Sequence, residues 1–271
     1  MNIISEIGWN HMGDMDLAEK MIKESKNSGS DTVKFQYWDP QYLTNGEWDN
    51  DGRREIYNQA ALNKEKIKFL IECSKENSQE FLISVFGTKG AKFILNLGEK
   101  NIKIPSHETT NTKLIEFCSK NFEKIFFSSG ASTSDEILRA VEIMSKGNAE
   151  FCLMHCVSSY PCDEDQINLK RINWLKTLCS EVGLSDHTSS TVIPAISVCL
   201  GAEVIEKHFT IDNNLPGRDN KFALEPNNFT EMVKNIKSAL DSMNDLGIEN
   251  QEIEQDTMKN YRGRWEPHDY T

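Results

Sequence analysis

EVIEKH, residues 203–208, is the last of eight short apolar runs, and their number decides the fold. The seven before it are NIISEI (2–7), DTVKFQ (31–36), EFLISVF (80–86), NIKIP (101–105), KIFFSS (124–129), EFCLMHC (150–156) and EVGLS (181–185). Between them lie stretches with helical spacing: Leu17, Met21 and Ile22; Ile67, Leu70 and Ile71 behind Asn63 as an N-cap; Ile137, Val141 and Met144, opened by Thr133 and Glu136 at capping-box spacing. The last helix carries Phe229, Met232, Ile236, Leu240 and Met243 on one face. Strands that alternate with helices pair in parallel. Eight such units predict a closed (β/α)8 TIM barrel; a doubly wound open sheet is the competing arrangement, because strand count alone does not close a sheet. The barrel domain is expected over residues 1–245 and a polar C-terminal tail over 246–271.

Composition agrees with one large core. The 271 residues are 38% hydrophobic and 27% charged, which excludes disorder for most of the chain. Thirty Lys+Arg against 42 Asp+Glu gives a net charge of −12, so a general phosphate-neutralising surface for nucleic acid is excluded while a local cationic pocket is not. No apolar run has the ~18 residues of a membrane span, and MNIISEIGWNH lacks the charged and apolar regions of a signal peptide, so a cytoplasmic protein is expected. The seven cysteines contain no CxxC and mostly have apolar neighbours; they read as reduced core thiols rather than disulfides or a zinc site.

In a barrel, chemistry sits at the C-terminal strand ends, and there polar residues interrupt every apolar run. In chain order they are Glu6, with Gly8, Asn10 and His11 behind it; Lys34 and Gln36; Ser84; Lys103, Ser106 and Glu108; Ser128; His155, with Ser158 and Tyr160 beyond; Ser185-Asp186-His187; and Glu206-Lys207-His208. Lys34 and Gln36 flank Phe35, so on a strand both face one side. A lone buried lysine is ordinarily a salt-bridged core residue. Two lysines converging on one mouth need anionic company: Glu6, Glu108 and Glu206, or an anionic substrate held also by serine hydroxyls. His187 and His208 end neighbouring strands and could share a divalent ion with open positions, which favours Mn²⁺ or Mg²⁺ over Zn²⁺. His155, between Met154 and Cys156, reads as a core histidine. HExxH, GxSxG and P-loop motifs are missing.

The strings EIGWNHMGD (6–14), TVKFQYW (32–38), KIPSHETTN (103–111), SSGAST (128–133), HCVSSYP (155–161), GLSDHT (183–188), EKHFT (206–210) and PGRD (216–219) together resemble the N-acetylneuraminate (sialic acid) synthase family, in order over about 6–245. The resemblance implies a barrel transferase that condenses phosphoenolpyruvate with an N-acylated amino sugar such as N-acetylmannosamine, giving a nonulosonic-type α-keto acid and phosphate. It implies a divalent metal, commonly Mn²⁺, on His187 and His208. Lys34, Lys103, Ser106, Ser128, Ser158 and Ser185 match phosphoenolpyruvate positions; Gln36, Glu108, Tyr160 and Asp219 match positions facing the sugar; Glu6 matches an acid beside the metal. Glu6 and Glu108 are thereby the candidates for stabilising the cationic centre at C2 or delivering water to it.

Two departures from the family pattern stand out. Members usually continue into a small antifreeze-like domain whose arginine reaches the sugar in the partner's barrel, whereas this sequence stops at Thr271 with a tail too polar to form one. Sugar specificity and the interlocked homodimer are thereby left open; Arg262 or Arg264 would be the tail's own replacement for the missing cation. Val85 stands where the family often has threonine, which predicts the loss of one phosphate-side hydroxyl. Two other functions remain: a related synthase acting on a different aldose or a sugar phosphate, for which Arg218 speaks, and a non-catalytic barrel that needs a separate antifreeze-like partner.

Overall fold

The structure is a computed structural model that describes residues 1–266. Its eight parallel strands are β1 (Asn2–Gly8), β2 (Thr32–Tyr37), β3 (Glu80–Val85), β4 (Asn101–Ile104), β5 (Lys124–Ser128), β6 (Glu150–Cys156), β7 (Glu181–Asp186) and β8 (Val204–His208). They pair in sequence order, and β8 returns to β1 with Asn2 opposite Val204 and Glu6 opposite His208. That pairing closes the barrel and excludes the open sheet. The helices follow the strands in turn: α1 (Met15–Asn27), α2 (Arg53–Gln59) and α3 (Lys64–Glu76), α4 (Thr88–Asn96), α5 (Thr112–Asn121), α6 (Ser134–Met144), α7 (Arg171–Leu175), α8 (Ile193–Cys199) and α9 (Pro226–Ser242). Asn63 caps α3 through Lys66 N, and Thr133 and Glu136 form the expected capping box on α6. Beyond α9 the described tail holds a 3-10 turn and the short α10 (Gln255–Asn260). Among the described residues no helix is long and apolar enough to cross a membrane.

The period-two alternation of the strands sorts their side chains into two layers. Ile4, Leu82, Phe126, Cys152, Met154 and Val204 form an apolar plug inside the barrel. One step toward the C-terminal ends, the same parity places Glu6, Lys34, Ser84, Lys103, Ser128, Ser185 and Glu206 above the plug. The opposite parity, Ile3, Val33, Phe35, Ile83, Ile102, Phe127, Leu153, Leu184 and Ile205 among others, packs under the helices in the main core.

This alternation corrects several expectations. Lys207 and Asp186 do not join the mouth: the ammonium lies 2.5 Å from Asp186 and 3.2 Å from the Ser190 carbonyl, a buried bolt on the β7–α8 loop. Val85 belongs to the core beneath the helices, so a hydroxyl there would not face the barrel interior, and Ser84 supplies the inward one. The cysteines are all free, but Cys199 is exposed and Cys179 only half-buried, because each lies at the edge of the helix layer. His155 is a core residue, its Nε2 2.6 Å from the Ile167 carbonyl.

Two loops are anchored over the mouth. Trp9 and Trp38 meet edge-on with ring centroids 5.8 Å apart, and the Trp38 indole donates to the Tyr57 carbonyl at 2.8 Å, which ties α2 to the ends of β1 and β2. Asn220 donates to the carbonyls of Asn10 (3.2 Å) and Pro216 (2.7 Å), while Asn10 donates to Phe209 (2.8 Å), fixing the loop after β8 to the loop after β1.

His11, wholly buried behind this junction, accepts from Gly13 N at 2.9 Å through Nδ1. Burial, aided by Lys66, holds its pKa near 4 against an ordinary 6.5. Between those values the unfolded chain binds a proton that the folded chain does not, so stability falls as pH falls through that window, by about 3 kcal/mol in all. Chemical denaturation from pH 7 to pH 4 should show this slope, and His11→Gln should flatten it whatever its own stability at pH 7; an unchanged slope would remove His11 as the cause.

Candidate active site

The C-terminal mouth opens into a cavity of about 760 Å³, within the size range of small-molecule sites. On its floor four charges interlock. Lys34 Nζ lies 2.8 Å from Glu6 and 3.6 Å from Glu206, and Lys103 Nζ lies 2.8 Å from the other Glu206 oxygen. Lys34 also donates to Ser84 Oγ (2.8 Å), Ser185 Oγ donates to Glu206 (3.0 Å) and Gln36 Nε2 to Glu6 (2.6 Å). These side chains come from β1, β2, β3, β4, β7 and β8, and barrel closure is what brings them together.

Their protonation follows from this arrangement. Burial opposes ionisation of Glu206, but Lys103 and Lys34 outweigh it and hold the carboxyl down to about 2. Glu6 is raised instead, since burial and the nearby Glu206 exceed what Lys34 returns. Burial weakens the Lys34 ammonium, yet Glu206 and Glu6 more than restore it. Glu206 is thus the fixed anion of the floor and Glu6 the carboxyl that more readily takes a proton.

Beside the floor stand the two imidazoles expected to work as a pair. The His187 and His208 ring centroids are 5.4 Å apart, and Tyr160 lies over His187 at 4.1 Å. His187 Nδ1 is 2.9 Å from the Val157 carbonyl; a carbonyl only accepts, so Nδ1 carries a proton. Although burial opposes it, Cys156, that carbonyl and Asp186 raise the pKa of the ring, whose Nε2 offers a lone pair only in the neutral form. His208 Nδ1 is buried without a hydrogen-bond partner, 3.7 Å from the Asp219 carboxylate. Burial, reinforced by His187 and Lys34, pushes His208 well below the usual imidazole range, so it is neutral as a metal ligand must be. Burial raises Asp219 to about 7.

A divalent ion fits this pair. An orphaned buried imidazole nitrogen and a histidine oriented through its other nitrogen by a backbone carbonyl are what a metal-binding histidine pair presents. Among the described residues no group of three or more His, Cys, Asp or Glu is arranged to hold an ion. Oxygen atoms of water or substrate would have to complete its shell.

The expected residues Glu6, Lys34, Gln36, Lys103, Ser106, Ser128, Tyr160, Ser185, His187, His208 and Asp219 all line the cavity. Glu108 and Ser158 are not among its lining residues: the Glu108 carboxylate accepts from Asn111 Nδ2 at 2.6 Å, and Ser158 sits 3.9 Å from Cys156. Both lie past the end of their strand, where the period-two rule no longer sets direction. Neither tail arginine lines the cavity, and Arg264 instead stacks on Tyr261 and Trp265. Glu206, expected as one of three possible counter-charges to the lysines, is the one that meets both of them, whereas Glu108 meets neither. Sequence reasoning missed Cys156, whose thiol, 3.9 Å from His187, is drawn down by that imidazole despite burial. Arg53 and Tyr57 line the cavity from α2 and Lys221 from the loop after β8, where no strand periodicity points to them.

A parallel barrel with a lysine–glutamate lattice and a histidine pair at its C-terminal mouth is the framework of a barrel enzyme handling small anionic substrates. The chain belongs to the NeuB family, whose model matches residues 21–247. It is 33% identical to the N,N'-diacetyllegionaminic acid synthase of Legionella pneumophila over 257 residues, which is 88% of this chain and 71% of that one. It is 31% identical to the pseudaminic acid synthase of Campylobacter jejuni, covering 90% of this chain and 75% of that one. The crystal structure of the N-acetylneuraminic acid (sialic acid) synthetase of Leptospira borgpetersenii in complex with citrate superposes with a TM-score of 0.87 at 31% identity, covering 97% of this chain and 92% of that one.

Glu206 is the hinge of the floor charges, and that has a thermodynamic signature. Glu206→Leu leaves Lys103 buried without a counter-charge and should lower the unfolding free energy by about 3–5 kcal/mol, whereas Lys103→Met/Glu206→Leu together should lose less. Urea unfolding of the two single variants and the double variant checks this; strictly additive losses would show that the charges are not coupled.

Proposed function

We propose that this chain is a metal-dependent transferase that condenses phosphoenolpyruvate with an N-acylated amino sugar, yielding a nonulosonic-type α-keto acid and inorganic phosphate. One observation carries the reading: two buried ammoniums and two buried imidazoles converge on one cavity, in a chain that belongs to a family with named sugar-acid synthases among its relatives.

Phosphoenolpyruvate brings a carboxylate and a phosphate, and the floor offers Lys34, Lys103, Ser106, Ser128 and Ser185 to hold them. So held, its C3 is presented to the aldehyde carbon of the acceptor, converting an encounter of two molecules into a local event. A divalent ion, when bound by His187 and His208, would supply Lewis-acid polarisation of that aldehyde; Mn²⁺ suits two nitrogens completed by oxygens. Bond formation between C3 and the aldehyde carbon leaves C2 electron-poor. Glu206, held ionised, stabilises positive charge nearby, while Glu6 can take the proton from the water that adds to C2. The C2–O–phosphate bond then breaks, phosphate leaves, and C2 becomes the ketone. Gln36, bonded to Glu6, and Tyr160, stacked on His187, border the space left for the sugar.

Phosphate release should require phosphoenolpyruvate, an N-acylated aldose and a divalent ion together, with an α-keto acid of the summed carbon count seen by mass spectrometry. Chelation or His208→Ala should slow turnover at least about a hundredfold, the equivalent of a few kcal/mol of lost transition-state stabilisation. Phosphoenolpyruvate binding without phosphate release from any aldose would overturn the reading in favour of a non-catalytic barrel.

A further inference from the structure

A second cavity lies outside the barrel mouth, and the condensation does not use it. Its volume is about 680 Å³, and it opens between the 3-10 turn Pro40–Tyr42 that follows β2 and the first turns of α4. Phe86 is the wall it shares with the mouth: the ring stacks on His107 with centroids 5.2 Å apart, and Trp38 meets it edge-on at 6.1 Å. The other walls are aromatic too, with Tyr37 stacked on Phe93 at 4.7 Å and Tyr42, 54% exposed, on the outer side. Five rings around one opening suit a flat body better than a sugar.

The end of the cavity at α4 has the opposite chemistry. Gly87 and Gly90 have no side chains, so their place in the lining brings bare main chain to the cavity. Gly87 is the N-cap residue, with φ +98° and no atom within 4 Å of where a Cβ would stand, and no side chain caps the helix. The amides of Thr88, Lys89 and Gly90 donate to no protein acceptor among the described residues, which leaves a set of N–H donors carrying partial positive charge. The Lys89 ammonium, 3.7 Å from the Tyr42 ring centroid, has no carboxylate partner among the described residues. Lys92 is a second cation of the lining, and its ammonium lies 5.6 Å from the Phe117 ring. Asp39 is the one acid among the described lining residues; it accepts from the Gln41 amide at 3.1 Å and from the Gln41 side chain.

A buried hydroxyl on a different element points to the same kind of occupant. Tyr37, only 8% exposed, lines the cavity, and its hydroxyl makes no hydrogen bond to a protein group among the described residues. Its ring lies beside Gly90, 3.5 Å from where a Cβ there would stand. Burial, with Asp39 and Tyr42 nearby, holds its pKa above the ordinary tyrosine value, so the hydroxyl keeps a proton to donate. A tyrosine O–H so deeply buried is ordinarily paired.

We propose that this cavity binds a small molecule joining a planar ring to a phosphate monoester, the chemistry of a nucleoside monophosphate. The phosphate takes the open amides of α4, the Tyr37 hydroxyl beside them and the Lys89 ammonium, while the ring lies against Tyr42 and Phe86. A carboxylate, with two oxygens, would leave part of that donor set unmet. In a protein of net charge −12 this end of α4 draws an anion in where most of the surface repels one. Neither substrate of the proposed condensation carries a planar ring, so the occupant is a third molecule, resting on the far side of a wall of the active site.

Calorimetric titration of the full chain tests this with adenosine and cytidine monophosphates, the two nucleosides and inorganic phosphate. At least one monophosphate should bind, about tenfold or more tighter than its nucleoside and than inorganic phosphate, and more weakly as salt rises. Lys89→Ala and Tyr42→Ala, both at exposed side chains, should each weaken it about tenfold without moving the thermal unfolding midpoint. Tyr37→Phe, which keeps the ring, should weaken it as well. Which base is preferred identifies the ring. A nucleoside that binds as tightly as its monophosphate removes the anion from the proposal, inorganic phosphate that binds as tightly removes the ring, and either result overturns it. Absence of binding overturns it too, as does binding that the Lys89 and Tyr42 variants leave intact and that therefore belongs to the barrel mouth. None of these outcomes touches the synthase reading, which concerns the other cavity.

Discussion

The interlock of Lys34, Glu6, Glu206 and Lys103 is the constraint on which the site depends. Four charges removed from water are expensive, and their mutual attraction offsets that only where each ammonium meets a carboxylate at close range. A hydrophobic plug of the same volume would serve stability as well or better. The lattice therefore makes sense as a pre-formed ionic environment, held by strands that cannot move independently, into which a small anion can exchange for part of an existing pairing. Its layer sits one inward-facing position, two residues, above the plug of Ile4, Leu82, Phe126 and Val204, so the same alternation that seals the barrel also aims its chemistry.

The histidine pair derives its character from this neighbourhood. His208 is kept neutral by burial and by surrounding cations, and its unpaired nitrogen is a polar group for which the described protein offers no partner. His187 is turned by a backbone carbonyl rather than by an acid. Such a pair would have little hold on an ion by itself and would need the oxygens of water or substrate to gain it. Around the charge lattice the same cavity is lined by the histidine pair and by the aromatic rings of Trp9, Tyr57, Tyr160 and Phe222.

How much of this could be read from the letters depends on where a residue sits in its element. Strand positions were legible. Ser128 and His208 are separated from the plug residues Phe126 and Val204 by even steps, and on β2, β4 and β7 the same period of two sets Lys34, Lys103 and Ser185 opposite in direction to the helix-facing Val33, Ile102 and Leu184. The same rule excludes Lys207 and Asp186 and keeps Glu206 inside. Past the strand ends it lapses: Glu108 and Ser158 were expected inside and lie outside the lining, while Arg53 reaches it from α2, held by the Trp9–Trp38–Tyr57 cluster, and Lys221 from the loop pinned by Asn220. The exposed Cys199 was also illegible, because an apolar helix shows its neighbours in sequence but not which side the barrel covers.

The sequence by itself determined the number of strands, their alternation with helices, the family and the inward-facing residues on each strand, because local backbone geometry fixes side-chain direction at every second position. Tertiary structure alone decided which strands meet across the closure, and hence that Lys34 and Lys103 share Glu206 and that His187 stands beside His208. It also decided that Arg53 of α2 and Arg218 and Lys221 of the loop after β8 line the same cavity. Those are distances between residues far apart in the chain, and they come from ring closure and loop packing, which no local spacing encodes.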